Sequence, residues 1–194
     1  MKKKNKIIIL TGIPGSGKTT VLDQTLELLL SHGIRYKSVN YGTEMFDIAK
    51  NEGLVKTRDE LRNLEPEEQK KLQKMAGMKI ASDAKKANIV VDTHCIIKTP
   101  TGYLVGLPEW VVKEINPDIV VLIEGVSKEI YRRRANDDTR TRDEDSEELI
   151  DEHQTANKSV ALAIGMMTGS TTKVLTNRNN KLHEAVEELK DIMK

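Results

Sequence analysis

Eight residues near the start of the chain constrain its fold more tightly than any others. Gly12-Ile13-Pro14-Gly15-Ser16-Gly17-Lys18-Thr19 fits the spacing G-x-x-x-x-G-K-[ST] at every fixed position. The match directly follows an apolar run, Ile7-Ile8-Ile9-Leu10-Thr11. It opens a stretch that carries Val21, Leu22, Leu26, Leu29 and Leu30 at helical spacing, with Gly33 suited to cap its end. A loop between a buried strand and a helix is the setting this pattern requires. Glycines let successive backbone N–H groups turn inward around an anion. The helix N-terminus beyond adds unpaired donors and a partial positive charge. There Lys18 reaches the terminal phosphates of a nucleoside triphosphate, and the Thr19 hydroxyl ligates Mg²⁺. Gly12, Ile13, Pro14, Gly15, Ser16, Gly17, Lys18, Thr19 and Thr20 are therefore the expected ATP-binding residues.

The rest of the chain continues the strand–helix alternation. Strand-like runs recur at Tyr36–Val39 (the weaker second), Asn88–Asp92, Ile119–Ile123 and Thr172–Leu175. The first, third and fourth runs are apolar without alternation, as in parallel strands covered on both faces. Pro66 suits a first helical position. Leu72, Ala76, Ile80 and Ala84 follow at four-residue intervals. Asp145 or Ser146 can cap a long helix holding Leu149, Ile150, Val160, Ile164 and Met167, and a last helix covers residues 181–194. Met167 is assigned to the core, and Met166 to either core or interface. Lys98–Tyr103 is a turn compatible with a short hairpin. The expectation is an α/β fold: a doubly wound five-stranded parallel sheet with a P-loop NTPase arrangement, in one domain over residues 1–194.

Two further features carry chemistry. Asp92 ends the third apolar strand, and ligands of such sheets bind beyond the carboxyl ends of strands. Asp92 is the candidate carboxylate for Mg²⁺ beside Thr19. Five arginines lie within the eleven residues from Arg132 to Arg142. Phosphoryl transfer needs such groups, because donor and acceptor phosphates repel and the transition state spreads negative charge. Placed on a mobile lid, they would also exclude water. The neighbouring Asp137, Asp138, Asp143 and Glu144 allow the plainer reading of a mixed-sign solvated surface.

Composition removes other classes. Lys plus Arg is 31 against 30 for Asp plus Glu, and aromatics are 3%, so nothing favours a nucleic-acid surface. The single cysteine, Cys95, builds neither an internal disulfide nor a cysteine-based zinc site. The lysine-rich start has too short an apolar run for a secretory leader, and no stretch is long enough to span a bilayer. The chain reads as cytoplasmic.

Along nearly its whole length the sequence resembles the archaeal-type adenylate kinases. Besides Gly12–Thr19, the resemblance is carried by Val39-Asn40-Tyr41-Gly42-Thr43-Glu44-Met45-Phe46, Thr57-Arg58-Asp59-Glu60-Leu61-Arg62 and Val91-Asp92-Thr93-His94. Ile97–Leu104, Gly106-Leu107-Pro108 and Arg140-Thr141-Arg142-Asp143 complete it. It implies a nucleoside monophosphate kinase fold and Mg²⁺-dependent transfer between ATP and AMP to give two ADP. It also implies an AMP-binding subdomain near residues 40–70, a short lid near 134–144 and a homotrimer. By position it implies AMP binding by Gly42, Thr43, Arg58 and His94, with Thr93 nearby, and catalytic roles for Lys18, Arg134, Arg140 and Arg142. The Asp-Gly-Phe-Pro-Arg of bacterial relatives is replaced by Asp92-Thr93-His94-Cys95, so the arginine supplied there is missing. The lid has no four-cysteine zinc cluster. An AMP phosphate is already an anionic nucleophile, so the reaction needs no general base. Two other readings remain open: another small P-loop kinase acting on CMP, UMP, a deoxynucleoside or a small hydroxy acid, and a nucleotide-dependent switch. The switch lacks the Asn-Lys-x-Asp of GTPases. Its nearest echo, Thr176-Asn177-Arg178-Asn179, follows the fifth strand and is a candidate contact for the donor base.

Overall fold

The computed structural model describes residues 5–136 and 146–194. Its elements, in chain order, are β1 (Ile7–Thr11), α1 (Lys18–Ser31), β2 (Tyr36–Asn40), α2 (Tyr41–Asn51), α3 (Pro66–Ala84), β3 (Asn88–Asp92), β4 (Ile96–Thr99) and β5 (Gly102–Val105). They continue with α4 (Glu109–Ile115), β6 (Ile119–Glu124), α5 (Ser127–Ala135), α6 (Glu147–Thr168), β7 (Thr171–Thr176) and α7 (Leu182–Met193). A 3₁₀ turn at Asp59–Asn63 precedes α3.

Five strands form one parallel sheet in the order β2-β3-β1-β6-β7. Alternate side chains of the central strands feed two cores. Ile9, Val91 and Val120 pack with Ala76 and Ile80 of α3, Val111 and Ile115 of α4, and Ala161 and Ile164 of α6. Ile8, Leu10, Val90 and Val121 pack on the other side with Val21, Leu22 and Leu29 of α1 and Val186 and Leu189 of α7. Both faces are covered, so β1, β3 and β6 read as unbroken apolar runs. The outer strands β2 and β7 are only partly buried, which accounts for their weaker sequence signal.

Local signals place the ends of the elements. Gly33, at φ 75°, follows α1. Its N–H donates to the Leu30 carbonyl and the N–H of Ile34 to that of Leu29, which closes a Schellman motif. Pro66 stands in the first turn of α3. Of the two candidate caps for α6, Ser146 is the one: its side chain accepts from the Leu149 N–H. The suspected hairpin exists as an antiparallel pair, β4 with β5, separate from the main sheet. Its Ile97 and Leu104 are exposed.

The assignment of Met167 to the core is corrected. It is 41% exposed and Met166 is 88% exposed. The buried stripe of α6 runs through Ile150, His153, Gln154, Asn157, Ala161 and Ile164. Continued at helical spacing it reaches residue 168, one step past Met167. The middle of that stripe is polar, which an apolar-period reading of the sequence passes over.

Crossovers from β1 and β3 leave in opposite directions, since β1 leads to β2 on one side and β3 leads to β6 on the other. That opens a crevice at the carboxyl ends of β1 and β3. Leu10 pairs with Asp92, and Asn40 pairs with the same residue from β2. The loop after β1, Asp92 and the head of α2 therefore open onto one cleft.

Ile80 is fully buried against the sheet and is not among the residues lining that cleft. Ile80→Ala is expected to cost about 2–5 kcal/mol. Urea denaturation should show this as a lower midpoint with an unchanged slope.

Candidate active site

The loop Gly12–Gly17 is held from outside by its own carbonyls. The Gly12 oxygen accepts from His94 Nδ1 at 2.8 Å, so Nδ1 carries the ring hydrogen. The Ile13 oxygen accepts from the Ser16 N–H at 3.1 Å. Pro14 accepts from Arg134 Nε at 2.9 Å, and Gly15 from Arg133 Nη1 at 3.3 Å. Ser16 accepts from Asn177 Nδ2 at 2.9 Å and from Arg133 Nη1 at 3.3 Å. Gly17 accepts from the Val21 N–H at 3.1 Å. Every carbonyl of the loop is thus occupied. The first N–H groups of α1 have no intrahelical acceptor by geometry, and no side chain caps that end. Gly15 and Gly17 adopt φ of 86° and 84°, a region closed to most side chains. Gly12 is needed for a different reason: a Cβ there would lie 2.7 Å from the Ile123 carbonyl. The result is a concave set of donors with a preference for anions.

The cleft in front of the loop measures about 920 Å³. Its lining includes Ile13, Pro14, Gly15, Gly17, Lys18, Thr19 and Thr20 from the loop and the start of α1. Asn40, Tyr41, Gly42, Arg58 and Arg62 form another part of the wall, with Asp92, Thr93, His94, Gly106 and Arg133 completing it. Lys18, 7% exposed, makes an ion pair with Asp92. Burial pulls the Lys18 ammonium down to about 8, with Cys95 acting weakly in the opposite sense. The Cys95 thiol is itself pushed up to about 11 by burial, against the opposing effects of Thr11 and Lys18. It is neutral at physiological pH, and the charge facing Lys18 is that of Asp92, which favours the protonated lysine. Arg58 and Arg62 have no carboxylate partner among the described residues. The only carboxylate among the lining residues is Asp92, already engaged by Lys18, so the cleft is electropositive on a chain of net charge +1. That suits a polyanion.

Asn40 organises the wall facing the phosphate loop. It caps α2, its Oδ1 accepting from the Thr43 N–H at 3.0 Å and from the Thr43 hydroxyl at 3.1 Å. The same oxygen accepts from Arg58 at 3.5 Å, and Asn40 Nδ2 donates to Asp92 at 3.4 Å. Gly42 leaves room for Arg58, since a Cβ at Gly42 would collide with the guanidinium.

The structure brings most of the sequence-named residues to this cleft: Lys18, Thr19, Thr20, Gly42, Arg58, Asp92 and His94 line it. Gly12 and Ser16 are buried behind its surface. Thr43 is not on the wall; its polar groups are bound to Asn40. Arg134 lies behind the loop, against the Pro14 carbonyl. Arg140 and Arg142 fall outside the described residues, as does most of the lid proposed near 134–144. Asn40, Tyr41, Arg62 and Gly106 line the cleft without having been given a role by the sequence, and Arg133 had only a place among the five arginines. Asn40 had a readable signal, an Asn immediately before a helix. Arg133 was hidden among adjacent arginines, and nothing local marked Gly106.

Residues 11–151 match the profile of a family described as an AAA domain. An adenylate kinase from Methanocaldococcus jannaschii is 54% identical over 98% of this chain and 100% of its own length. One from Methanococcus vannielii is 47% identical over 98% and 100%. One from Methanothermobacter thermautotrophicus is 47% identical over 97% and 99%. Among solved structures, the shikimate kinase of Bacteroides thetaiotaomicron superposes with a TM-score of 0.57 at 14% identity, covering 97% of this chain and 98% of that one. The Acinetobacter baumannii shikimate kinase, solved with shikimate, gives 0.54 at 16% over 97% and 93%. At such identity these two bear on the fold alone.

Gly42→Ala is expected to displace Arg58 while leaving the phosphate loop intact. Steady-state kinetics should show KM for the phosphate-monoester substrate raised by about tenfold, the loss of one charge-assisted contact. KM for the triphosphate should stay within about twofold.

Proposed function

The chain belongs to the AAA-domain family and to the adenylate kinases, and on that premise we propose how its cleft divides the work of an ATP:AMP phosphotransferase. The carrying observation is a single cleft with a phosphate loop on one wall and Gly42 and Arg58 on another, Asp92, Thr93 and His94 lying between. The loop amides and Lys18 hold the donor triphosphate of ATP. Arg58 grips the phosphate of AMP, with His94 at the approach. The AMP phosphate attacks the γ-phosphoryl as an anion, so no side chain has to remove a proton. Rate comes from alignment and from cations placed where charge develops. Lys18 supplies one such cation. The arginines at 134, 140 and 142 are the candidates for the rest.

The residues fit Mg²⁺. Asp92 Oδ1 is buried, with no hydrogen-bond partner beside the Lys18 ion pair, and Thr19 offers a hydroxyl in the same cleft. Both are hard oxygen donors, the kind this ion takes in ones and twos when phosphates supply other ligands. Mg²⁺ when bound neutralises charge on the β- and γ-phosphates; Thr19 and Asp92 would hold it.

The remaining assignments follow the family. No described helix is long and apolar enough to cross a membrane, and the one thiol is buried and free, in keeping with a cytoplasmic site. The homotrimer rests on the family resemblance, and Leu162 (52%), Met166 (88%) and Leu104 (58%), exposed on α6 and the hairpin, offer apolar surface for a contact between copies.

ATP and Mg²⁺ incubated with each nucleoside monophosphate should yield ADP in quantity with AMP, two per AMP consumed. Preferential turnover of CMP or UMP would overturn the acceptor assignment. Lys18→Ala should lower kcat by about 10²-fold or more; near-normal turnover would contradict the role given to Lys18. Light scattering should report a trimer that Met166→Lys weakens. A wild-type monomer at micromolar concentration would remove that proposal.

A further inference from the structure

Arg133 lies in the last turn of α5, and all three of its guanidinium nitrogens donate to protein acceptors. Its Nη1 donates to the carbonyls of Gly15 and Ser16, both at 3.3 Å. Its Nη2 donates to the Asn177 carbonyl at 3.4 Å, to Asn179 Oδ1 at 2.6 Å and to Glu129 at 3.2 Å. Its Nε donates to Asn179 Oδ1 at 3.1 Å. The five N–H groups of the guanidinium thus serve six contacts to protein acceptors, although the side chain also borders the cleft. Glu129 also accepts the Asn179 N–H at 2.9 Å, which ties the loop after β7 into the same cluster. Asn177, 5% exposed, donates to the Ser16 carbonyl from the same side at 2.9 Å. It approaches so closely that a Cβ on Gly17 would strike its amide.

A glycine-rich loop has a difficulty of its own making. Glycines at φ 86° and 84° reach their native conformation without steric cost, and they leave it as easily. A peptide flip at Ser16–Gly17 would turn a carbonyl oxygen toward the bound phosphates in place of an amide, and one at Gly15–Ser16 would release the Ser16 N–H from the Ile13 carbonyl and loosen the turn. Resting on the adenylate kinase reading of the cleft, we propose that Arg133, fixed by Glu129, Asn177 and Asn179, is a positioning residue for the donor. It pins the Gly15 and Ser16 carbonyls outward and so keeps the loop amides set for the ATP polyphosphate. Glu129 balances its charge, so the effect is on loop geometry more than on the field in the cleft. The acceptor side, built on Asn40, Gly42 and Arg58, does not touch this cluster.

The test compares Arg133→Ala, Arg133→Lys, Glu129→Gln and Asn179→Ala with the wild type. The readouts are kcat, KM for ATP and for AMP, calorimetric Kd for a non-hydrolysable ATP analogue with Mg²⁺, and Tm. Arg133→Ala should weaken the analogue and raise KM for ATP by about tenfold or more, the scale of a lost charged hydrogen bond. KM for AMP should stay within about twofold. Arg133→Lys should recover only part, because an ammonium cannot span two carbonyls and Asn179 together. Glu129→Gln and Asn179→Ala should move the same constants by about threefold, which a phosphate-contacting arginine would not require. A folded Arg133→Ala enzyme with wild-type analogue affinity overturns the proposal. So does a fall in kcat alone, or a fall in Tm alone. If Arg133→Ala does not fold, the Glu129 and Asn179 variants decide. A wild-type protein inactive on ATP and AMP would sink the family reading, whereas an active one with unmoved variants sinks only the brace.

Discussion

The fold's chemistry depends on where the carbonyls of six consecutive residues point. A backbone turn that offers amides to an anion must send its oxygens the other way, and buried oxygens need donors. Here His94, Arg134, Arg133 and Asn177 supply them from three separate segments, while Ser16 and Val21 supply the rest locally. The loop is therefore a joint where the ends of β3, α5 and β7 converge on the exit of β1. Substitution in any of these segments acts on the phosphate cradle without lying in it.

The sheet makes that convergence possible. Register places Leu10 opposite Asp92, and Asp92 opposite Asn40, so three strand ends present loop, carboxylate and helix cap side by side. Asn40 then links Asp92, the start of α2 and Arg58 through one side chain. The two walls of the cleft differ in construction. The wall formed by the phosphate loop is backbone braced by side chains from behind. The facing wall, with Gly42 and Arg58, is presented by a capped helix and a 3₁₀ turn, built over a small separate core of Ala49, Val55 and Leu72.

Legibility in the sequence followed the range of the interactions concerned. Strands covered on both faces were plain, because burial of both faces leaves an unbroken apolar run. The edge strands β2 and β7 were fainter because water reaches part of each. The hairpin was marked by its turn residues alone. Met167 was misplaced because an apolar residue one step off a helical stripe looks the same in sequence as one on it, and the stripe of α6 is interrupted by His153, Gln154 and Asn157.

Arg58 was named only through the resemblance to a family, whereas the sequence by itself determined the cradle, the order of elements, the α/β class and the candidacy of Lys18, Thr19 and Asp92. Each of these rests on a local pattern: glycine spacing, apolar period, or a charge at a strand end. Only the tertiary structure decided which of three adjacent arginines holds the loop, which faces the Pro14 carbonyl, and that Asn40 and Arg62 share the cleft. Those outcomes depend on the rotation of α5 about its axis and on how the 3₁₀ turn at Asp59–Asn63 folds back beside the end of β2. Such rotations are set by packing between segments more than a hundred residues apart, as between Arg133 and Ser16. No local spacing encodes that angle.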